Sequence, residues 1–255
     1  MTALVSCFLA LLVALPCYAV SARLLERLEL SQNAFKELME SRDQSVPQDL
    51  LNKCEAIVIF PRTLNIAWGL GGQYGKGVLL RHDREKHDWG NPAFYTIGGI
   101  TLGPQIGGQA VDIVLVIMNQ RGLNSILQSK STLGGDAGIA LGPVGRNATA
   151  STDLGLQAEI YSYSRAKGLY IGLSLKGAMV APDKVANMEY YGIEHTPRDI
   201  ILLNKGKVRD DMKPLLDEVR RHTPGWKPAS PAIWVWAGAG ALVLLAAIFF
   251  FVRKK

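Results

Sequence analysis

The chain has 255 residues, 48% of them hydrophobic and 20% charged, with a formal net charge of +6. Three of those positive charges are the terminal Arg253, Lys254 and Lys255. Residues 23–252 hold 25 basic against 22 acidic residues, a balance that argues against nucleic acid as a partner. Three cysteines are present, and Cys54 alone lies outside the N-terminal leader, which excludes an intrachain disulfide or a cysteine-based metal site in the mature domain.

Residues 1–22 carry no charge, and an apolar run from Leu4 to Leu15 is followed by small residues around Ala19 and Ala22. This is the pattern of a secretory signal peptide; an uncleaved N-terminal anchor is the alternative. Residues 22–43 then predict an amphipathic helix, with Leu24, Leu25, Leu28, Phe35, Leu38 and Met39 near one face and a net charge of −1. That charge fits a helix packed on the domain better than a basic helix lying on a membrane. A second short helix is expected from Pro47 to Asn52.

β character follows. Ala56–Phe60 is a short, β-branched run expected to form a buried strand ending at Pro61. Further strands are expected at Gly77–His82, Ala93–Thr101, Gln105–Gln109, Val111–Met118, Gly155–Ser164 and Leu169–Val180, with a short helix at Gln120–Gln128. Glycine inside strands implies close backbone approach, bulges or strong curvature. The fold class is therefore α+β: a curved, Gly-rich antiparallel sheet or partial barrel with flanking amphipathic helices. Pro182–Tyr191 and Val208–His222 predict two more helices.

The end of the chain reads as a tether. Residues 223–231 form a Pro-rich linker. Residues 232–252 contain no charge and are long enough to span a bilayer, and the basic tail 253–255 is expected to stay cytoplasmic. A removable sorting tail is the other reading of this segment.

The segment Gly69–Gly77 resembles a phosphate loop only superficially. Leu70 stands where a P-loop needs glycine, Gly77 stands where it needs Ser or Thr, and Tyr74 breaks the dinucleotide fingerprint. It is expected to be a structural turn carrying Lys76. His82, His87, His195 and His222 show no metal-ligand spacing, and the polar run His82–His87 reads as a solvated hairpin loop. No nucleophile elbow is present. What remains is basic residues among apolar β structure: Arg165 and Lys167 on an expected turn, Lys176 in the next strand, and Lys76. Such residues suit phospholipid phosphates, although solvated surface charges have the same composition.

Ser162–Gly177, SYSRAKGLYIGLSLKG, closely resembles the signature of the SYLF lipid-binding domain family. Ordered landmarks support it: PQDLL at 47–51, AIVIFP at 56–61, YGKGVL at 74–79, WGNPAF at 89–94 and GGITLGPQIGG at 98–108. The resemblance covers residues 22–192. It implies non-enzymatic binding of anionic phospholipids, phosphoinositides among them in eukaryotic members, some of which also bind actin. The SH3 or FYVE modules of those members are not found in these residues, so the actin and endocytic roles are not carried over.

The resulting expectation is a bacterial envelope protein, single-pass in the inner membrane. Its periplasmic domain, 23–222, would bind anionic phospholipid headgroups through Arg165, Lys167, Lys176 and Lys76, without a cofactor or metal. The alternative is a structural or protein-interaction module of the envelope. An enzyme would require a concave site with perturbed acids or histidines.

Overall fold

The computed structural model describes residues 21–223, apart from 42–44, 84–85, 87, 145–157, 193–194 and 207–208. Most of the expected leader 1–22 and linker 223–231, and all of the membrane span 232–252 and basic tail 253–255, lie outside these residues. Among the described residues no helix is long and apolar enough to cross a membrane.

Two long strands dominate the fold, β1 (Ala56–Asp83) and β3 (Ala93–Ile117). They form one antiparallel hairpin, from Ala56↔Ile117 at its open end to Leu79↔Ala93 near its loop. A straight strand of that length would reach ~90 Å, far beyond a domain of this size. The hairpin instead curls, and its register shifts between Phe60 and Thr63 and between Trp68 and Leu70. The glycines permit the curl. A Cβ at Gly77 would stand 2.0 Å from the Ile59 carbonyl oxygen, and one at Gly75 would stand 2.3 Å from the Thr63 hydroxyl. The expected close backbone approach is thus present, within a single strand folded back on itself.

The remaining strands are β2 (Asp88–Trp89), β4 (Ser131–Thr132), β5 (Ile139–Leu141), β6 (Ile160–Ala166), β7 (Leu169–Tyr170) and β8 (Met179–Pro182). The main path of the eight-stranded sheet runs β2-β1-β3-β6-β5, with β8 pairing β3 beyond the reach of β6. The pairing of β5 with β6 is parallel, so the sheet is mixed rather than purely antiparallel. Pro61 does not end the first strand, because the bulge beside it absorbs the missing N–H. The expected strand at 169–180 is two short strands separated by a loop, and 93–118 is one strand rather than three.

Helices cover one face of the curled sheet. These are α1 (Ala22–Glu40), α4 (Lys184–Tyr191) and α6 (Lys213–Arg221), packed on Ile57, Ile59, Val78, Leu80, Val114 and Val116. The other face buries Phe60, Tyr95, Ile97, Val111 and Ile113 against α3 (Gln120–Ile126) and α5 (Pro197–Leu202). A short helix, α2 (Gln48–Lys53), precedes β1. In α1, Leu24, Leu28, Phe35 and Leu38 are buried as their spacing predicts. Arg27 is buried too: it pairs with Asp183 at 3.0 Å and lies over the Phe94 ring. This helix is a packed element of the domain. The His82 side chain is likewise internal, stacked on Trp89 with its Nδ1 3.2 Å from the Cys54 carbonyl oxygen, so it is not part of the expected solvated loop.

Candidate lipid-facing surface

Successive residues of a strand point to opposite faces, and directly paired residues share a face. Past the first bulge, Thr63, Asn65, Gln73, Gly75 and Gly77 of β1 are buried, while Arg62, Leu64, Ile66, Gly72, Tyr74 and Lys76 are exposed. The exposed set continues the helix-bearing face of the sheet beyond the point where the helices stop. Here Leu64 is 53% exposed, Ile66 61%, Tyr74 53% and, opposite Gly72 on β3, Ile100 70%. Large apolar side chains this exposed, on the same face of the ribbon, mark an interaction surface.

Two cations border this strip. Lys76 lies mid-strand opposite Thr96, so it is not on a turn as the glycine pattern suggested. Gly75 and Gly77 on either side of it serve the close return of the strand. Arg62 sits at the bulge with φ +46°, and its backbone N–H donates to Asp112 Oδ1 at 2.8 Å. Among the described residues no acid pairs with the side chain of either Arg62 or Lys76. Arg62 is hidden in the sequence because Pro61 reads as the end of the strand. The alternation Leu64, Ile66 and Trp68 would have revealed that the strand continues.

The other expected site residues are distributed differently. Arg165, at the end of β6, is only 9% exposed, and its guanidinium donates to Glu37 on α1 and to the Gly168 carbonyl oxygen. It braces the fold and does not face solvent as a free cation. Lys167 is exposed at the two-residue turn of the β6–β7 hairpin, with φ +48° followed by Gly168 at +80°, beside the exposed Leu169. That turn lies near the level where β3 loses its β6 partner and the exposed ribbon begins.

Lys176 is not in a strand. It occupies a turn before Gly177 and borders a cleft of about 400 Å³ lined by Ile139, Leu141, Ser162 and Leu173. Its segment belongs to the opposite face, where Ala178 lies against Gly99. The structure therefore brings Lys76 and Arg62 to the apolar strip, sets Lys167 near its root, and places Arg165 and Lys176 in other roles.

Residues 98–222 match the family model described as Ysc84, a Las17-binding protein actin regulator. Over these residues the chain is a member of the Ysc84, or SYLF, family. It is 27% identical over 193 residues to LAS seventeen-binding protein 3 of Saccharomyces cerevisiae, a match covering 74% of this chain and 41% of that protein. It is 30% identical over 159 residues to an SH3 domain-containing protein of Schizosaccharomyces pombe, covering 61% and 36%. Against SH3 domain-containing YSC84-like protein 1 of Bos taurus the identity is 24% over 178 residues, covering 69% and 52%. The SYLF chain thus spans about half or less of the length of these relatives. The family description names a Las17-binding actin regulator, and the first of these relatives is named as a binding protein.

Proposed function

We propose that this SYLF domain binds anionic phospholipid headgroups without catalysing a reaction on them. The observation that carries this reading is the placement of Lys76 and Arg62, both exposed, at the border of the apolar strip formed by Leu64, Ile66, Tyr74 and Ile100. A basic side chain near an anionic bilayer contributes about 1 kcal/mol. Partial burial of four apolar side chains adds on the order of a few kcal/mol. The sum is adequate for reversible association that is sensitive to salt. Lys167 adds a third cation near the root of the ribbon. On this reading the domain sits on the periplasmic side of a bacterial inner membrane, tethered through 232–252.

A second reading is favoured by the name of a relative, LAS seventeen-binding protein 3: the same exposed strip holds a protein partner. Co-sedimentation of residues 22–230 with vesicles separates the two. Retention on phosphatidylglycerol or cardiolipin vesicles, with none on phosphatidylcholine, supports the lipid reading. Equal retention on both, or on neither, refutes it.

A further inference from the structure

We infer that the middle stretch of the curled β1–β3 ribbon, 64–75 paired with 98–110, enters the bilayer interface as a shallow wedge, with Ile66 and Ile100 at the acyl-chain boundary and Arg62 and Lys76 at the phosphates. This rests on the lipid reading above and adds which element penetrates, how far, and in what orientation.

Charge distribution along the hairpin is the first support. Neither 64–75 on β1 nor 98–110 on β3 contains a charged residue. The first charges met on leaving this stretch along β1 are Arg62 in one direction and Lys76 in the other. On β3 the first is Asp112, whose carboxylate accepts the Arg62 N–H at the bulge. An uncharged stretch with a basic border is the pattern of an element seated in an anionic interface, where apolar side chains go down and cations stay at headgroup level. Tyr74, exposed between the two zones, has the amphipathic ring that favours this depth. A water-facing ribbon of this length needs charge for solubility, and this one has none.

Sheet topology sets the depth. Strand β8 pairs β3 only at 95–98, and β6 pairs it only at 112–117, so among the described residues the ribbon between these is two-stranded. Its outer backbone N–H and C=O groups have no neighbouring strand among the described residues there. Open edges of this kind are not tolerated in the hydrocarbon core, where no water can satisfy them. They are tolerated at the headgroup boundary. The ribbon is therefore an interfacial seat that does not span the membrane.

Depth-dependent quenching tests this on the full chain reconstituted in vesicles. The three cysteines are replaced, and single cysteines are introduced as Ile66→Cys, Ile100→Cys and, as a remote exposed control, Leu203→Cys. Each carries an environment-sensitive fluorophore. In vesicles containing phosphatidylglycerol, the labels at 66 and 100 are expected to shift to the blue and lose about half their emission to a nitroxide near the top of the acyl chain. A mid-bilayer nitroxide should quench them far less, and the label at 203 should respond to neither. Unquenched labels at 66 and 100 overturn the wedge, even where phosphatidylglycerol still changes the protein's retention or melting and the headgroup reading survives. Labels already shielded in lipid-free detergent solution, as when the ribbon edge pairs with a second copy, overturn it as well. Quenching of equal size in phosphatidylcholine alone supports the wedge and removes the anionic requirement instead.

Discussion

Arg165 stands opposite Asp112 in the β3–β6 ladder, yet its guanidinium reaches across to Glu37 on α1, with Nη1 3.4 Å from Oε2. Asp112 is engaged instead by the Arg62 backbone. Arg165 therefore links the sheet to α1 and closes the β6–β7 turn through the Gly168 carbonyl. Arg165→Ala should lower unfolding stability by about 1 kcal/mol in urea denaturation, since it removes the packing of a buried side chain and its bonds to the exposed Glu37 carboxylate and Gly168 carbonyl. Once the lost folded fraction is corrected for, vesicle binding should be unchanged.

Gly77 has an ordinary backbone conformation, and what restricts it is space. Gly77→Ala would drive a methyl into the Ile59 carbonyl and the Phe60 ring. The expected cost is about 2–3 kcal/mol, read as a lowered thermal midpoint, because backbone on one side and a packed aromatic on the other cannot both yield. Gly72→Ala, on the open outer face with its nearest neighbour 3.9 Å away, should lie within about 1 kcal/mol of the parent.

The Lys167–Gly168 turn has both central residues at positive φ, the geometry of a tight hairpin turn that favours Asn or Gly at its first position. Lys167→Asn should raise stability by about 0.5–1 kcal/mol. If Lys167 contacts phosphate, the same variant should also bind anionic vesicles more weakly. A more stable protein with reduced binding separates a functional cost from a folding defect.

Asp199 closes the capping box at the start of α5, bonded to Thr196 and to Lys205 Nζ. These hydrogen bonds push its carboxyl down to about 2. Because the folded value lies below that of the unfolded chain, the contribution is complete above the ordinary carboxylate value of 3.8. It is lost as pH falls through about 2. NMR titration of the Asp199 carboxyl should find its midpoint near the lower figure, and Asp199→Asn should flatten the stability profile across that acid window.

The helices were readable from sequence because each carries its own period: Leu24, Leu28, Phe35 and Leu38 in α1 predicted the buried stripe that the fold shows. The family signature at 162–177 was equally local. What sequence could not convey was register. Lys76 looked like a turn residue because Gly75 and Gly77 surround it, whereas those glycines serve contacts with Thr63 and Ile59, more than ten residues earlier in the chain. Arg165 looked free because its partner Glu37 lies in a separate helix. The exposure of Ile66 and Ile100 depends on where the helices end over the sheet, which no local pattern encodes.

The most direct test of anionic lipid recognition compares the parent domain, residues 22–230, with the Arg62→Gln/Lys76→Gln variant on phosphatidylglycerol vesicles as salt is raised. Both side chains are exposed and unpaired among the described residues, so the fold should be preserved. The parent should bind at low salt and weaken as ionic strength rises. The variant should bind about tenfold or more weakly, with a shallower salt dependence, as expected for the loss of two contacts of about 1 kcal/mol each. Equal affinity and equal salt dependence for the two proteins would contradict the account.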